Sequence, residues 1–269
     1  MMNVSNSPTD EFADLVSALN EAWRSRIGIR PISEQRPGLT VADAYAIQTG
    51  WAALRRAQGD RILGRKIGLT SIAVQKQLGV SEPDYGDLWD SDFYPTRDGE
   101  VTVPFSRFID PRIEAEVAFL FRDEVKGPGK TPEQILAATE ACALAIEIVD
   151  SRIADWKITL VDTIADNASF GGYALGPWDR DLPRAALDSL EMKIMRDGNV
   201  LASGMGHAVM GNPAIATTWL VNRLGEMGVS IAPGDVIISG AMTKMLPAKS
   251  GDRFVVSLSG QPDLTLTFT

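Results

Sequence analysis

The sequence predicts one mixed α/β domain, with a curved or closed β-sheet as its core and helical segments gathered at the N-terminal end. Three observations carry this. The chain has 269 residues, 45% apolar and 23% charged, enough to enclose a sizeable core. Apolar residues recur at helical spacing through residues 10–24 and again after Thr40, then switch from residue 101 to the period of two that marks strands. Strands and helices do not alternate regularly, and neither GxGxxG nor GxxxxGK[ST] occurs, so the pattern is not that of a dinucleotide-binding sheet, a P-loop or a (β/α)₈ barrel.

Residues 10–24 set Phe12, Leu15, Leu19 and Trp23 near one face of a helix. RIGIRPISEQRPG reads as a loop. Thr40 and Asp43 approximate a capping box, which opens a second helix that ends at Gly59 and Asp60. RILGRKIGLTS is strand-like and breaks at Gly68, SIAVQKQLG suits a short helix, and SEPDYGDLWDSDFYPTRDGE, rich in Asp, Gly and Pro, reads as a loop that forms a lid or a pocket wall. VTVPF and RIEAEVAFLF follow as strands. Thr131 caps a helix with Pro132 in its first turn; this helix runs through the alanines to a strand, ALAIEIVDS. IADNAS is a polar, turn-prone segment. LEMKIMRDGNVLASG is a hairpin turning at DGN, a helix follows Pro213, and DVIISG, DRFVVSLSG and LTLTFT are strands. A helical region, 1–75, and a mixed core, 76–269, are expected as one continuous domain.

The net charge of −9 argues against nucleic acid as a partner, which requires a basic face. No stretch approaches the roughly 20 apolar residues of a membrane span, and the N-terminus lacks a signal-peptide pattern, so a cytoplasmic setting is expected. Cys142, the single cysteine, sits in the apolar run ACALA and reads as a buried thiol. His207 is the single histidine, which excludes a histidine-rich zinc site, and no G-x-S-x-G elbow surrounds a serine.

Three glutamates stand out. On a strand, Glu114 and Glu116 share a face about 6–7 Å apart along the chain. Ala118 and Leu120 continue that face, while Ile113, Ala115, Val117 and Phe119 take the other. Glu147 lies in a similar strand between Ala145 and Val149 on its own face. Two readings are open: surface carboxylates paired with Lys or Arg, or three oxygens converging on a hard divalent ion such as Mg²⁺, with positions left for water or substrate.

The motifs GRKIGLTS, QLGVSEPDYGDL, PRIEAEVAF, EIVDSRIADWK, VDTIADNAS and GDVIISGA, in this order, make the chain resemble the 2-keto-4-pentenoate hydratase family of the fumarylacetoacetate hydrolase superfamily, from about residue 40 to the end. The resemblance implies a fumarylacetoacetase C-terminal-like twisted β-roll core with N-terminal helices. It implies that Glu114, Glu116 and Glu147 hold Mg²⁺ or Mn²⁺, that Lys66 and Asp84 are catalytic, and that Leu69, Thr70 and Ser169 bind substrate. The implied reaction converts a 2-hydroxy-2,4-dienoate to a 4-hydroxy-2-oxo acid in aromatic meta-cleavage catabolism. A homo-oligomer, and association with pathway enzymes, are further implications. In related 4-oxalocrotonate decarboxylases the position of Asp84 tends to be apolar, so Asp84 tilts the choice towards hydration; decarboxylation of a 2-oxo-enedioate is the alternative. Arg112 and Arg152 flank the metal strands as partners of these carboxylates or as structural residues. Two departures bear on substrate choice: Gly211-Asn212-Pro213 where G-H-P is common, and AMTKMLPA at 241–248, where Met242 and Met245 line a pocket or fill the core.

Overall fold

The computed structural model describes residues 11–71, 75 and 82–269. Helix α1 (Ala13–Ser25) buries Leu15 and Leu19, with Phe12 just before it, as the spacing predicts. The segment read as a loop contains a short helix, α2 (Ile32–Gln35). The capping box at α3 (Val41–Ala57) is present: Thr40 Oγ1 accepts from the Asp43 amide at 3.2 Å, and Asp43 accepts from the Thr40 amide at 2.8 Å. These helices pack on Ile153 and on α5 (Leu160–Ala165) through Ile47, Trp51 and Ile164. The helix expected at 71–79 lies almost wholly outside the described residues.

The core is a large sheet in the order β2 (Asp84–Trp89), β1 (Ile62–Gly68), β9 (Val236–Ile238), β4 (Arg112–Phe121), β5 (Thr139–Val149) and β6 (Phe170–Leu175), with β10 (Leu246–Pro247) also paired to β4. β1, which precedes residue 76, lies inside this sheet between β2 and β9. The sheet curls until its edges approach. Asn167 joins them: its amide oxygen accepts from the Asp87 amide at 2.7 Å, and its NH₂ donates to the Asp87 carbonyl at 2.9 Å. Residues 84–89, expected as loop, form β2 because of this seam. Gly86 is required because a Cβ there would lie 2.4 Å from the Asn167 carbonyl oxygen, and Asp87 pairs with Arg65 at 3.0 Å. The polar composition serves a strand closure.

A second sheet, β3 (Glu100–Val103), β12 (Leu264–Phe268), β11 (Arg253–Leu258), β7 (Glu191–Arg196) and β8 (Asn199–Met205), shares one apolar core with the outer face of β4, including Ile113, Ala115, Val117 and Phe119. The β7–β8 hairpin turns at Asp197 and Gly198, both at positive φ, as the DGN motif predicts. Helix α4 (Pro132–Ala138) is shorter than expected: residues 139–142 join β5, because Phe119 and Ala118 pair with Cys142 and Ala143 in the ladder. Cys142 is buried, and burial pushes its thiol pKa up, so it is not a reactive thiolate. Helix α6 (Pro213–Glu226) is capped by Asn212, whose Oδ1 accepts from the Ala214 amide at 2.8 Å. Asn212 therefore has a local structural job, and His207 is exposed in the turn before it.

Candidate metal centre and active site

Alternation puts Glu114 and Glu116 on the inner face of β4, and antiparallel register sets Glu147 of β5 directly opposite Glu114. One carboxylate oxygen from each of the three lies within 4.8 Å of the others. Glu116 and Glu147 are fully buried and Glu114 is half-buried. Glu116 Oε2 accepts from the Gly240 amide at 2.6 Å. Gly240 has φ +102°, and a Cβ on it would meet Thr70 at 2.5 Å, so only glycine presents that amide here. Glu116 Oε1 and both oxygens of Glu147 have no hydrogen-bond partner among the described residues. Buried carboxylates normally have partners. An oxygen set this close and this poor in donors fits a hard divalent cation.

Lys66, on β1, is the cation the protein itself supplies. Its Nζ lies 3.1 Å from Glu147 Oε1, an ion contact outside good hydrogen-bond alignment, and donates to the Ala168 carbonyl at 3.0 Å. Burial alone would lower its pKa. Glu147, then Asp84, Glu114 and Glu116, outweigh burial and raise it. Asp84 begins β2, fully buried, with Oδ1 unpartnered among the described residues; burial raises its pKa and Lys66 partly offsets this. A Cβ on Gly68 would lie 2.1 Å from Asp84 Oδ1 and 3.3 Å from Lys66 Nζ, so the two head groups bracket one point above Gly68.

Burial raises the pKa of all three glutamates from the ordinary 4.5, that of Glu114 to about 7, with Glu147 adding to the shift at Glu114 and Glu116. A raised folded-state pKa gives stability below the unfolded value that is lost as pH rises through the folded one. The metal-free protein is therefore expected to lose thermal stability from about pH 4.5 up through pH 7, and added Mg²⁺ to restore it most at the alkaline end. Melting curves at pH 5, 6, 7 and 8 with and without Mg²⁺ check this; metal-free stability that rises over this range would contradict it.

The turn after α5 supplies the remaining groups. Asn167, Ala168 and Ser169 have φ of 54°, 52° and 53°, a run of left-handed non-glycine residues that must be held from outside. Arg152 holds it. Its guanidinium donates to the Asp150, Phe170 and Asp166 carbonyls and pairs with the Asp166 carboxylate. Arg152 is thus a structural clamp, and of the two open readings for this residue the glutamate pairing is wrong. The clamped turn offers the Ala168 carbonyl to Lys66 and sets the Ser169 hydroxyl 3.3 Å from that of Thr163. Removing Arg152 leaves buried Asp166 without its cation, so Arg152→Met is expected to cost about 3–5 kcal/mol in chemical denaturation; a loss below about 1 kcal/mol would show that Asp166 simply takes up a proton.

A cavity of about 590 Å³ opens over this end of the curled sheet. Lys66, Leu69, Thr70, Asp84, Glu114 and Ser169 line it, with Glu116 and Glu147 beneath. Leu69 is itself at φ 57°, a second strained position on the wall. Met242 and Met245 both line the cavity, and Met242 also belongs to the core. Sequence reasoning missed Thr163 and Trp156 on the wall, and gave Gly68 and Gly240 no role beyond a strand break and a motif letter. The strained ADNAS turn was visible only as a polar segment. Arg112 also reaches the wall. It makes no ion pair among the described residues and stacks over the Trp156 ring at 4.1 Å, so of its two open readings the pairing with the glutamates is not present.

Comparison with known proteins agrees with this architecture. The family described as fumarylacetoacetate (FAA) hydrolase C-terminal matches residues 78–269. The chain is 43% identical over 252 residues to 2-hydroxyhexa-2,4-dienoate hydratase of Comamonas testosteroni, covering 93% of this chain and 95% of that relative. It is 39% identical to 2-keto-4-pentenoate hydratase of Burkholderia vietnamiensis, over 98% of this chain and 99% of that one. Among solved structures, 4-oxalocrotonate decarboxylase from Pseudomonas putida G7, complexed with magnesium and adipate, superposes with a TM-score of 0.91 at 31% identity, covering 97% and 98% of the two chains. Together with the curled sheet and the glutamate triad at its open end, these matches place the chain in the fumarylacetoacetate hydrolase superfamily, as a member of its 2-keto-4-pentenoate hydratase family.

Proposed function

We propose that this chain is a hydro-lyase. It hydrates a 2-hydroxy-2,4-dienoate, 2-oxopent-4-enoate or a substituted homologue, to a 4-hydroxy-2-oxo acid in aromatic meta-cleavage catabolism. The observation that carries this reading is the convergence of Glu114, Glu116 and Glu147, with Lys66 against Glu147, at a cavity that Lys66, Asp84 and Glu114 line. The full-length likeness to proteins named hydratases supports it. The three glutamates would hold a divalent ion, Mg²⁺ or Mn²⁺, in line with the magnesium of the decarboxylase structure and the Mn²⁺ of a fumarylpyruvate hydrolase that shares the fold. Once bound, that ion would polarise the 2-oxo group and stabilise developing enolate charge.

The protein's own part is proton handling. Hydration removes protons from the 2-hydroxyl and from water, and delivers protons to C5 and C3. Lys66 and Asp84 meet above Gly68 and form the acid/base pair for these transfers. Ser169, beside Thr163, orients the substrate carboxylate, and Leu69 and Thr70 wall the carbon chain. The apolar part of the wall, including Val149, Trp156 and Ile158, keeps bulk water from the dienol. Assembly of several copies and a cytoplasmic setting belong to the same proposal; among the described residues no helix is long and apolar enough to cross a membrane.

The structural likeness to a decarboxylase favours one second reading, CO₂ release from a 2-oxo-enedioate. Incubating Mg²⁺-loaded protein with 2-hydroxyhexa-2,4-dienoate, and following dienol absorbance and product mass, separates the two. Gain of one water is expected; CO₂ release from an oxalocrotonate-type substrate, with no water gained by the dienoate, would overturn hydration in favour of decarboxylation.

A further inference from the structure

We infer that Gln48, on α3, is a positioning residue for the acid/base pair: its side-chain amide stitches the edge of β2 to the end of α5, and so fixes where Asp84 stands relative to Lys66 and Thr163 without touching substrate. This rests on the reading above that gives Lys66 and Asp84 the proton transfers.

The first observation is a buried amide on an apolar helix face. Gln48 is buried on α3 beside Ala44, Ile47 and Trp51. A polar group placed there needs partners, and both hydrogens of its NH₂ are committed. Nε2 donates to the Tyr85 carbonyl and to the Ile164 carbonyl, each at 2.9 Å. Both carbonyls are ones that regular structure leaves over. Tyr85 and Asp87 lie two residues apart on β2, opposite Ile67 and Arg65, so their backbone groups point to the same outer edge, away from β1. Asn167 takes up those of Asp87, and Gln48 takes up the carbonyl of Tyr85. Ile164 lies in the last turn of a six-residue helix, where carbonyls have no helical donor.

The second observation is where the stitch falls. Tyr85 directly follows Asp84, and Ile164 directly follows Thr163; Asp84 and Thr163 both line the cavity. Asn167 makes the next stitch along the same edge and directly precedes Ala168, whose carbonyl accepts from Lys66. One seam therefore sets the acid and the anchor of the lysine together. The third observation is that Asp84 has little else to aim it. It opens β2 opposite Gly68, the last residue of β1, and its Oδ1 has no partner among the described residues. Helix α3 grips the neighbouring residue a second time: the Tyr45 ring stacks on the Tyr85 ring, with centroids 4.7 Å apart and planes 20° apart. The backbone held by α3 thus carries the Asp84 carboxylate, and a displacement of about 1 Å in such a group can cost about 100-fold in rate.

The test is steady-state hydration of 2-hydroxyhexa-2,4-dienoate by Mg²⁺-loaded full-length protein. Gln48→Met, which keeps the bulk and loses both donors, is expected to lower kcat by about 10- to 100-fold with KM within about twofold of the wild type. Gln48→Asn, one methylene short, should fall between the two. Both variants should keep the Mg²⁺-induced rise in melting temperature, because Gln48 makes no contact with the glutamates. A purely structural role is separated by a double-mutant cycle: in an Asp84→Asn background, Gln48→Met should cost less than about twofold further. If Gln48→Met does not fold, the same cycle is read with Gln48→Asn. An unchanged kcat, or equal losses in both backgrounds, would overturn the inference. Exchange of the C3 protons of 2-oxopentanoate in D₂O, measured on the same proteins, reads proton transfer without water addition, and the variants should lose it in parallel. A wild type that exchanges but adds no water counts against the hydratase reading alone, and the comparison of variants then stands on exchange. A wild type that does neither overturns both.

Discussion

Glu116→Gln is expected to abolish metal-dependent turnover and, in the metal-free protein, to raise the melting temperature. Both effects follow from one feature: a fully buried carboxylate whose Oε1 has no donor among the described residues, beside Glu114 and Glu147. Burial and the neighbouring negative charge raise its pKa well above the ordinary glutamate value. Glutamine removes the charge, can still accept the Gly240 amide, and places an NH₂ where two carboxylates now repel. As a ligand it is far poorer, so activity should fall by more than the 10- to 100-fold typical of outer-shell changes at metal sites. Melting curves decide the matter: Mg²⁺ should stabilise the wild type and leave the variant unmoved. A variant that keeps the Mg²⁺-induced rise would show that the ion, if bound, is held elsewhere.

Lys66→Met is expected to act in the opposite direction on stability. Lys66 is the single ion-pair partner that the described residues give Glu147, and it faces four carboxylates in all. Its removal leaves buried negative charge uncompensated, at about 3–5 kcal/mol in the metal-free protein. Turnover should fall by about 10²- to 10⁴-fold, the range for loss of a positioned acid/base group. Equilibrium denaturation and single-turnover kinetics measure the two effects separately. A variant as stable as the wild type without metal would contradict the electrostatic account, because the carboxylates would then be neutralised by protons alone. Two substitutions within one cluster, with stability changes of opposite sign, form a sharper test than either does singly.

Much of this site was legible as spacing. The E-x-E pair on a strand was enough to put Glu114 and Glu116 on one face, because strand periodicity is a local property of the backbone. The capping box at Thr40, the helix cap at Thr131 and the DGN hairpin were readable for the same reason. What was not legible depends on contacts between segments far apart in the chain. Asp84–Trp89 was misread because its Gly and Asp answer to Asn167 and Arg65 across a seam, not to local turn chemistry. Arg152 carried two open readings, since its partners Asp166 and Phe170 are brought to it only by the turn it clamps. Gly68 and Gly240 matter through atoms they lack, which spacing alone does not disclose. The convergence of Glu147 with the β4 pair comes from register, and the ligand role is what the family likeness implies.

The most direct test of the central claim is a titration of Mn²⁺ into metal-stripped protein, with bound metal and the rate of water addition to 2-hydroxyhexa-2,4-dienoate followed together. The glutamate triad predicts no hydration without metal, activity rising in proportion to occupancy, and saturation at about one ion per chain, as expected for a single carboxylate-bound site. Hydration at full rate in the stripped protein, or saturation of the metal site with no gain of water by the dienoate, would contradict it.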